Sequence, residues 1–223
     1  MTTPSPSRVT RTKQQARAYY SRLGSFYDML SGGAEGRLRD DAIRRLNIRP
    51  GEKVLEIGIG TGAGLLRMAE SAGRSGAAVG IDLADGMLAA SARRLTRRGE
   101  GCRTMLVCAD GALLPFRPGP FDAVFLSFTL ELFDTPEIPI VLERCRRILT
   151  PGGRLGIVAM ALEKKPNGMS RLYEAAHKAF PVWVDCRPID ARKAVEDAGF
   201  AVRDSARRSM FFLPVDIVVC RKK

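Results

Sequence analysis

The chain of 223 residues is long enough for one domain with additions, and its 45% hydrophobic content can build a sizeable core. No apolar run reaches the ~18 residues of a membrane span, no secretory signal opens the chain, and five dispersed cysteines lack a CxxC pair, so we expect a cytoplasmic protein without a disulfide framework or metal site. The formal net charge of +12 leaves nucleic acid, an anionic membrane or an acidic substrate open as partners.

The N-terminal region divides into a polar tail and a helical part. Residues 1–12 are rich in Ser, Thr and Pro, a composition typical of a disordered tail. Residues 13–24 and 35–47 have helical patterns on either side of a glycine-rich turn at 31–33. We therefore assign residues 1–50 to a tail and a helical lid, and residues 51–223 to the main domain.

The middle of the chain alternates between strand and helix patterns. Strands are predicted at 54–57, 77–81, 103–109, 121–128 and 154–160, and helices at 63–73, 85–98 and 136–149. A Pro-Gly-Gly turn at 151–153 precedes the fifth strand. This alternation predicts a doubly wound parallel sheet.

The last third of the chain departs from this alternation. Helices are predicted at 168–180 and 188–198, around the irregular segment 181–189, and strands at 200–206 and 211–220 with a short turn between them. A short connection permits only antiparallel pairing. The expected fold is therefore a Rossmann-like, seven-stranded, mostly parallel sheet with a C-terminal antiparallel hairpin and a helical insertion at about 161–198.

Glycines and acids mark one edge of that sheet. Gly58, Gly60 and Gly62 follow the first strand, and glycine allows a sharp turn and a close approach to a ligand. Glu56, Asp82 and Asp110 stand at the ends of the first three strands, where ligands bind in open α/β sheets. Asp82 lies 22 residues after Gly60, the spacing of an acid that binds ribose hydroxyls, and Asp110 could accept from an exocyclic amine.

The glycine pattern formally satisfies the dinucleotide motif as well, which leaves a nicotinamide oxidoreductase as a rival. The third acid, the Pro-Gly-Gly turn and the terminal hairpin favour an S-adenosylmethionine site. The segments VLEIGIGTGAG, VGIDLADGMLAAS, CADGALLPF, FDAVFLSFTLELF and ILTPGGRLGIV, which span residues 53–160, resemble the motifs of the class I S-adenosylmethionine-dependent methyltransferases. Within that class, the segment YYSRLGSFYDMLSGG is similar to the branch of C-methyltransferases of ubiquinone and menaquinone biosynthesis.

This resemblance implies methyl transfer from S-adenosyl-L-methionine to a small or lipidic acceptor such as a prenylated quinol or phenol. It also implies that Thr61, Asp82, Asp110, Gly111 and Ser127 contact the cofactor. With the glycine turn and the apolar walls expected around the adenine ring, the predicted cofactor-binding residues are Glu56, Gly58, Gly60, Thr61, Gly62, Asp82, Leu83, Met87, Asp110, Gly111 and Ser127.

The acceptor side offers three catalytic candidates. Tyr27 lies in the N-terminal lid and could meet the cofactor or acceptor, His177 is the sole histidine, and Asp185 belongs to the irregular segment near Trp183. Each of the three could instead be a packing or surface residue, which is the more common role of a lone histidine, so the identity of a general base stays open.

The basic charge is concentrated in the flanks. Residues 1–50 carry 10 basic and 4 acidic side chains, residues 51–141 carry 9 and 11, and residues 142–223 carry 17 and 9. Such flanks suit peripheral contact with a membrane surface. An RNA methyltransferase is the alternative enzyme, although the chain lacks interleaved basic and aromatic residues, and a nonenzymatic cofactor-binding protein is the alternative from another class.

Overall fold

A computed structural model describes residues 8–9, 11–23, 33–163 and 186–223. Its strands are β1 (Lys53–Ile57), β2 (Ala77–Asp82), β3 (Thr104–Cys108), β4 (Phe121–Ser127), β5 (Leu149–Met160), β6 (Phe200–Met210) and β7 (Leu213–Lys222). Its helices are α1 (Lys13–Leu23), α2 (Ala34–Leu46), α3 (Ala63–Ala72), α4 (Asp85–Arg97), α5 (Ile138–Ile148) and α6 (Ala191–Asp197). Short 3₁₀ turns cover Gly101–Arg103 and Leu130–Leu132.

The seven strands form one sheet in the order β3-β2-β1-β4-β5-β7-β6. Strands β1 to β5 are parallel, and β7 is antiparallel to both of its neighbours, β5 and β6. The predicted Rossmann-like sheet with a C-terminal antiparallel hairpin is thus confirmed. The order reverses between β1 and β4, and in open α/β sheets this switch point is where ligands bind.

The strand residues alternate between two buried faces. Leu55 and Ile57 of β1 pack on one side, with Val124 and Leu126 of β4 and the apolar face of α5. Val54 packs on the other side, with α2 and α3. Helices on both faces explain why β1 and β4 are almost continuously apolar, since neither face of these strands meets water.

The turn between the last two strands lies later than the sequence pattern predicts. We expect strands at 200–206 and 211–220, but β6 continues to Met210 and pairs with β7 along its whole length. The reversal is made by Phe211 and Phe212, which both have positive φ. The prediction was wrong here because two phenylalanines read as strand residues, whereas this turn usually contains Asn or Gly.

The Pro-Gly-Gly segment is assigned to β5, which begins at Leu149 and not at residue 154 as predicted. The pairing with β4 nevertheless jumps from Leu149 to Arg154, and Gly152 has a φ of 70°. The expected turn is therefore present as an interruption within the strand.

Other predictions fall outside the described residues. These are residues 31 and 32 of the predicted glycine-rich turn, the predicted helix at 168–180, and residues 181–185 of the irregular segment. In the part of the chain that the structure describes, no helix is both long and apolar enough to cross a membrane.

Candidate functional site

A cavity of about 680 Å³ lies at the carboxyl ends of β1 to β4. Its walls are built from the glycine turn after β1, the loops after β2, β3 and β4, and the N-terminal segment with α1. Ten of the eleven predicted cofactor-binding residues line it, namely Glu56, Gly58, Gly60, Thr61, Asp82, Leu83, Met87, Asp110, Gly111 and Ser127. The structure therefore brings together residues that are up to 71 positions apart in the sequence.

The three glycines of the turn have different surroundings. Gly58, Gly60 and Gly62 have φ values of 71°, 52° and 77°, a conformation that favours glycine. A Cβ on Gly58 would lie 2.4 Å from Cγ2 of Thr129, and one on Gly62 would lie 2.4 Å from Oγ of Ser91, whereas one on Gly60 would meet nothing within 4 Å. Gly62 is thus a packing glycine outside the cavity lining, and Gly60 borders open space.

Asp82 is held in place by backbone amides. The amide of Gly60 donates to Oδ2 at 2.9 Å, and the amide of Ala84 donates to Oδ1 at 2.9 Å. Burial raises the pKa of Asp82, while these amide hydrogen bonds oppose that rise. Each carboxylate oxygen has a further lone pair, so the group can still accept from a pair of ligand hydroxyls.

Asp110 is held in a similar way but also contacts α1. The amide of Ala112 donates to Oδ1 at 2.9 Å, and Lys13 Nζ donates to Oδ2 at 2.6 Å. The same ammonium lies 2.5 Å from Oε1 of Glu137, the residue directly before α5. The carboxylate proposed to receive an exocyclic amine is therefore paired with a lysine of the N-terminal helix.

Glu56 and Arg39 line the same cavity, but only Glu56 belongs to a motif that the sequence shows. Glu56 is 2% exposed, and its Oε2 has no hydrogen-bond partner among the described residues. Burial raises the pKa of Glu56 to about 8, opposed by the positive charge of Arg39 and the amide of Leu65. Arg39 comes from α2 and lines the same cavity; its buried Nε has no hydrogen bond to any described residue and lies 3.6 Å from Oδ1 of Asp40. No spacing rule links α2 to the glycine turn, so sequence analysis missed Arg39.

Phe128 is a second residue that sequence analysis did not assign to the site. It lines the cavity directly after β4, and its φ is 51°, which is uncommon for a bulky residue. The Phe128 amide donates to the Val158 carbonyl at 2.8 Å, which fixes this conformation. Strained backbone of this kind tends to cluster at ligand sites.

The N-terminal segment crosses the mouth of the cavity. Arg8 donates to both carboxylate oxygens of Asp134, with its closest contact at 2.6 Å, and Arg17 pairs with Asp85 at 2.7 Å. Tyr20 lines the cavity from α1, and its ring contacts Tyr19 at a centroid distance of 5.3 Å. Residues 8 and 9, within the predicted tail, are thus placed against the loop after β4.

The acceptor side is described only in part. Tyr27, His177 and Asp185, the three catalytic candidates, lie outside the described residues. Arg187, at the end of the irregular segment, is fully buried and donates to the Phe133 carbonyl at 2.6 Å and to Thr135 Oγ1 at 3.2 Å. It ties this segment to the loop after β4, whose residue Phe133 lines the cavity.

Known proteins that resemble this chain in sequence are described as methyltransferases. Residues 54–153, which hold most of the strand-end residues, match a family described as a methyltransferase domain. Nocamycin O-methyltransferase from Saccharothrix syringae is 39% identical over 62% of this chain and 48% of its own length. Demethylmenaquinone methyltransferase from Corynebacterium urealyticum is 30% identical over 78% of this chain and 71% of its own length.

Two solved structures have the same fold. The Burkholderia thailandensis 1,6-didemethyltoxoflavin-N1-methyltransferase, solved with its acceptor and S-adenosylhomocysteine, has a TM-score of 0.71 at 20% identity, over 97% of this chain and 94% of its own. The cyclase SpnF has a TM-score of 0.73 at 20% identity, over 95% of this chain and 97% of its own. The chain spans between 48% and 60% of the length of the first curated relatives that it matches.

Proposed function

The chain belongs to the class I S-adenosylmethionine-dependent methyltransferases, and from this premise we propose that it transfers a methyl group to a small organic acceptor. The observation that carries the proposal is the order of polar groups along one cavity. Glu56 is the penultimate residue of β1, Asp82 is the last residue of β2 and Asp110 follows β3, and these strands are neighbours in the sheet. The three carboxylates therefore form a row along the carboxyl edge.

The described residues fit the cofactor of this family. One end of S-adenosylmethionine carries an ammonium and a carboxylate, and the other end carries a ribose and an adenine. Glu56 supplies a carboxylate with one oxygen that has no hydrogen bond among the described residues, and Arg39 supplies a guanidinium that lines the same cavity, a combination that suits a zwitterion. Asp82 suits the two ribose hydroxyls, and Asp110 suits the adenine amine.

The walls of the cavity orient the reactants and exclude water. When bound, S-adenosylmethionine supplies a methyl group on a cationic sulfur that is activated for direct displacement. The protein's own contribution is to bind and orient the two reactants and to exclude water. We assign water exclusion to α1, which lines the cavity through Tyr20 and holds to the strand-end loops through Lys13 and Arg17.

For the acceptor, we propose a prenylated quinol or a phenol. The supporting observations are the names of curated relatives, which include a demethylmenaquinone methyltransferase, a C-methyltransferase of ubiquinone/menaquinone biosynthesis and a nocamycin O-methyltransferase. A phenolic oxygen or ring carbon needs a base, and His177 is our candidate. Its replacement by Ala should reduce turnover of such an acceptor and leave S-adenosylhomocysteine affinity unchanged.

Calorimetric titration with S-adenosylhomocysteine tests the cofactor site. We expect Asp82→Asn to weaken binding by about 10- to 100-fold, because a charge-assisted hydrogen bond is worth ~1.5–3 kcal/mol. Asp197→Asn is the matched control, since this carboxylate lies on α6, outside the cavity lining, and pairs with Lys193 at 2.8 Å. Equal affinities for the two variants would remove Asp82 from the site.

Turnover is tested separately with radiolabelled S-adenosylmethionine. Transfer of label to a demethylated prenylquinol or a phenol supports the proposed acceptor class. Tight cofactor binding without transfer to any quinol, phenol or RNA acceptor would favour a nonenzymatic role, and transfer to RNA alone would replace our proposal by the RNA alternative.

A further inference from the structure

The turn between β6 and β7 exposes two adjacent phenylalanines. Phe211 is 72% exposed and Phe212 is 78% exposed, the highest values among the large hydrophobic side chains that the structure describes. Met210 pairs directly with Leu213, so Phe211 and Phe212 alone make the turn between the two strands. The result is a narrow aromatic tip at the end of a long hairpin.

Folding alone does not account for this choice of residues. Both phenylalanines have positive φ, 49° and 66°, and a two-residue turn with this geometry strongly prefers Asn-Gly or Gly-Gly. A bulky residue in the left-handed region is strained, and an exposed aromatic ring is poorly solvated. The chain therefore carries residues at its tip that are unfavourable for both the backbone and the solvent.

The position of the tip connects it with the cavity. β7 runs antiparallel to β5, and Val215 pairs with Met160, the last residue of β5. Residues 211–213 consequently extend past the carboxyl end of β5, on the sheet edge where the cavity lies. An object bound at the tip would be on the same side of the molecule as the proposed reaction.

Size and charge select the kind of partner. The exposed parts of two phenylalanine side chains amount to about 300 Å², well below the ~800 Å² per partner that a stable protein interface buries. Of the six basic side chains in the hairpin segment 200–223, Arg207 and Arg208 lie near the tip, where they pair with Asp216 and Asp41, and the net charge of the whole chain is +12. A small convex aromatic tip on a basic protein complements an anionic lipid surface, where aromatic side chains enter the headgroup region.

We propose that Phe211 and Phe212 insert into the surface of an anionic membrane and dock the protein with its cavity facing the lipid. The docking does not depend on methyl transfer. It would bring a prenylated acceptor within reach if the proposed acceptor class is correct.

Vesicle flotation tests the proposal with the full chain. The key variant is Phe211→Asn with Phe212→Gly, which removes the aromatic tip and installs a favoured turn, so that folding should improve. On vesicles of phosphatidylcholine with phosphatidylglycerol at low salt, we expect this variant to bind at least about tenfold more weakly than the unmodified protein. Met105→Ser, which removes a side chain 59% exposed on the opposite edge strand β3, should bind as the unmodified protein does.

Three outcomes would overturn the proposal. One is the absence of vesicle binding by the unmodified protein. Another is binding that is lost without phosphatidylglycerol but unchanged by the double substitution, since the basic flanks alone would then account for it. The third is a dimer, detected by light scattering, that the double substitution dissociates without any effect of vesicles. S-adenosylhomocysteine titration of each variant reports on the cofactor site independently, so a failure of docking is distinguishable from a failure of the proposed function.

Discussion

Glu56 combines deep burial with a ligand-facing position. Burial raises its pKa to about 8, so the carboxyl group is largely protonated at neutral pH in the free protein. A ligand ammonium beside it would favour the ionised form. Ligand binding and proton release are therefore linked at this residue.

The linkage gives a pH-dependent prediction. Between the ordinary pKa of Glu and about 8, the folded protein keeps a proton that the unfolded chain has lost, so stability should fall as the pH rises through this range. S-adenosylhomocysteine affinity should instead rise, by up to about tenfold per pH unit, from pH ~6 to ~8. Calorimetry in buffers of different ionisation enthalpy should detect the released proton.

Glu56→Gln serves as the control for this prediction, because it preserves the shape of the side chain and removes the titration. Its affinity should be weaker and flat over the same pH range. A parallel rise in affinity for the Gln variant would assign the titration to another group.

Arg39 offers a second prediction at the level of single residues. Its guanidinium is expected to bind the carboxylate of the cofactor, so Arg39→Met should weaken S-adenosylhomocysteine binding by about tenfold or more. Arg37→Met is a matched control on the same helix, because Arg37 is exposed and lies outside the cavity lining. Equal affinities for the two variants would contradict the role of Arg39.

The difference between Asp82 and Arg39 shows what the sequence can reveal about a site. Asp82 is predictable because strand, glycine turn and acid follow at a spacing that the backbone geometry fixes. Arg39 and Phe128 are not, since one reaches the cavity from a separate helix and the other through an uncommon backbone conformation. Tertiary packing brings such residues to the site, and no local spacing encodes it.

At the scale of elements, the N-terminal segment forms ion pairs with three successive loops at the carboxyl ends of the strands. Arg17 binds Asp85 after β2, Lys13 binds Asp110 after β3, and Arg8 binds Asp134 after β4. The hydrogen bonds from Arg8 hold the pKa of Asp134 well below its usual range, so this contact should persist in mild acid. We predict that the segment and α1 move aside when a ligand of the cavity exchanges.

Loss of the ion pairs made by Lys13 should speed the exchange of a ligand bound in the cavity. Lys13→Met removes the ion pairs with Asp110 and Glu137, and partly exposed pairs of this kind contribute ~0.2–1 kcal/mol each. We expect the S-adenosylhomocysteine dissociation rate to rise by about 2- to 10-fold in stopped-flow measurements, with a weaker dependence on salt. Lys53→Met should leave the rate unchanged, because Lys53 begins β1 at the amino ends of the parallel strands, away from the cavity.

The hairpin illustrates a limit of element prediction. Alternation and the short connection identify two antiparallel strands, yet the turn was expected before Phe211, at residues 207–210, and the structure forms it at 211–212. Residues 207–210 contain Arg and Ser on an exposed edge, which read as a turn. Their real constraint is lateral, since Arg207 binds both carboxylate oxygens of Asp216 across the strands at 2.8 Å.

For the whole molecule, the sheet could be predicted well from the sequence, but the structure of the helical insertion at about 161–198 could not. Consecutive strand–helix units permit few topologies, because crossovers between parallel strands are right-handed. The parallel strands and the terminal antiparallel hairpin match the architecture expected from the sequence, and the position of β7 between β5 and β6 is a finding of the structure. The insertion has no such rule to constrain it, which is why His177 and Asp185 stay predictions.

Thiol chemistry should report the global stability of this sheet. Cys145 and Cys220 are fully buried in one core, and burial raises the pKa of both thiols, that of Cys220 to about 12. They should react with a thiol reagent only after global unfolding, whereas exposed Cys108 should react in the native state, more slowly than a free thiol because its hydrogen bond to Asp85 raises its pKa. Mass-resolved labelling of Cys108→Ser would reveal any native-state reaction at the buried pair, which would contradict a cooperative core.

The placement of β7 has a consequence for how the chain matures on the ribosome. β7 lies between β5 and β6, so the sheet cannot close until residue 222 has left the exit tunnel. Until then the nascent polypeptide presents the edge of β5, the longest strand of the sheet, with its hydrogen-bonding groups unpaired. Translational pausing before residue 213 should therefore prolong a state that depends on chaperones, and a strand peptide of the sequence 213–222 supplied in trans should shorten it.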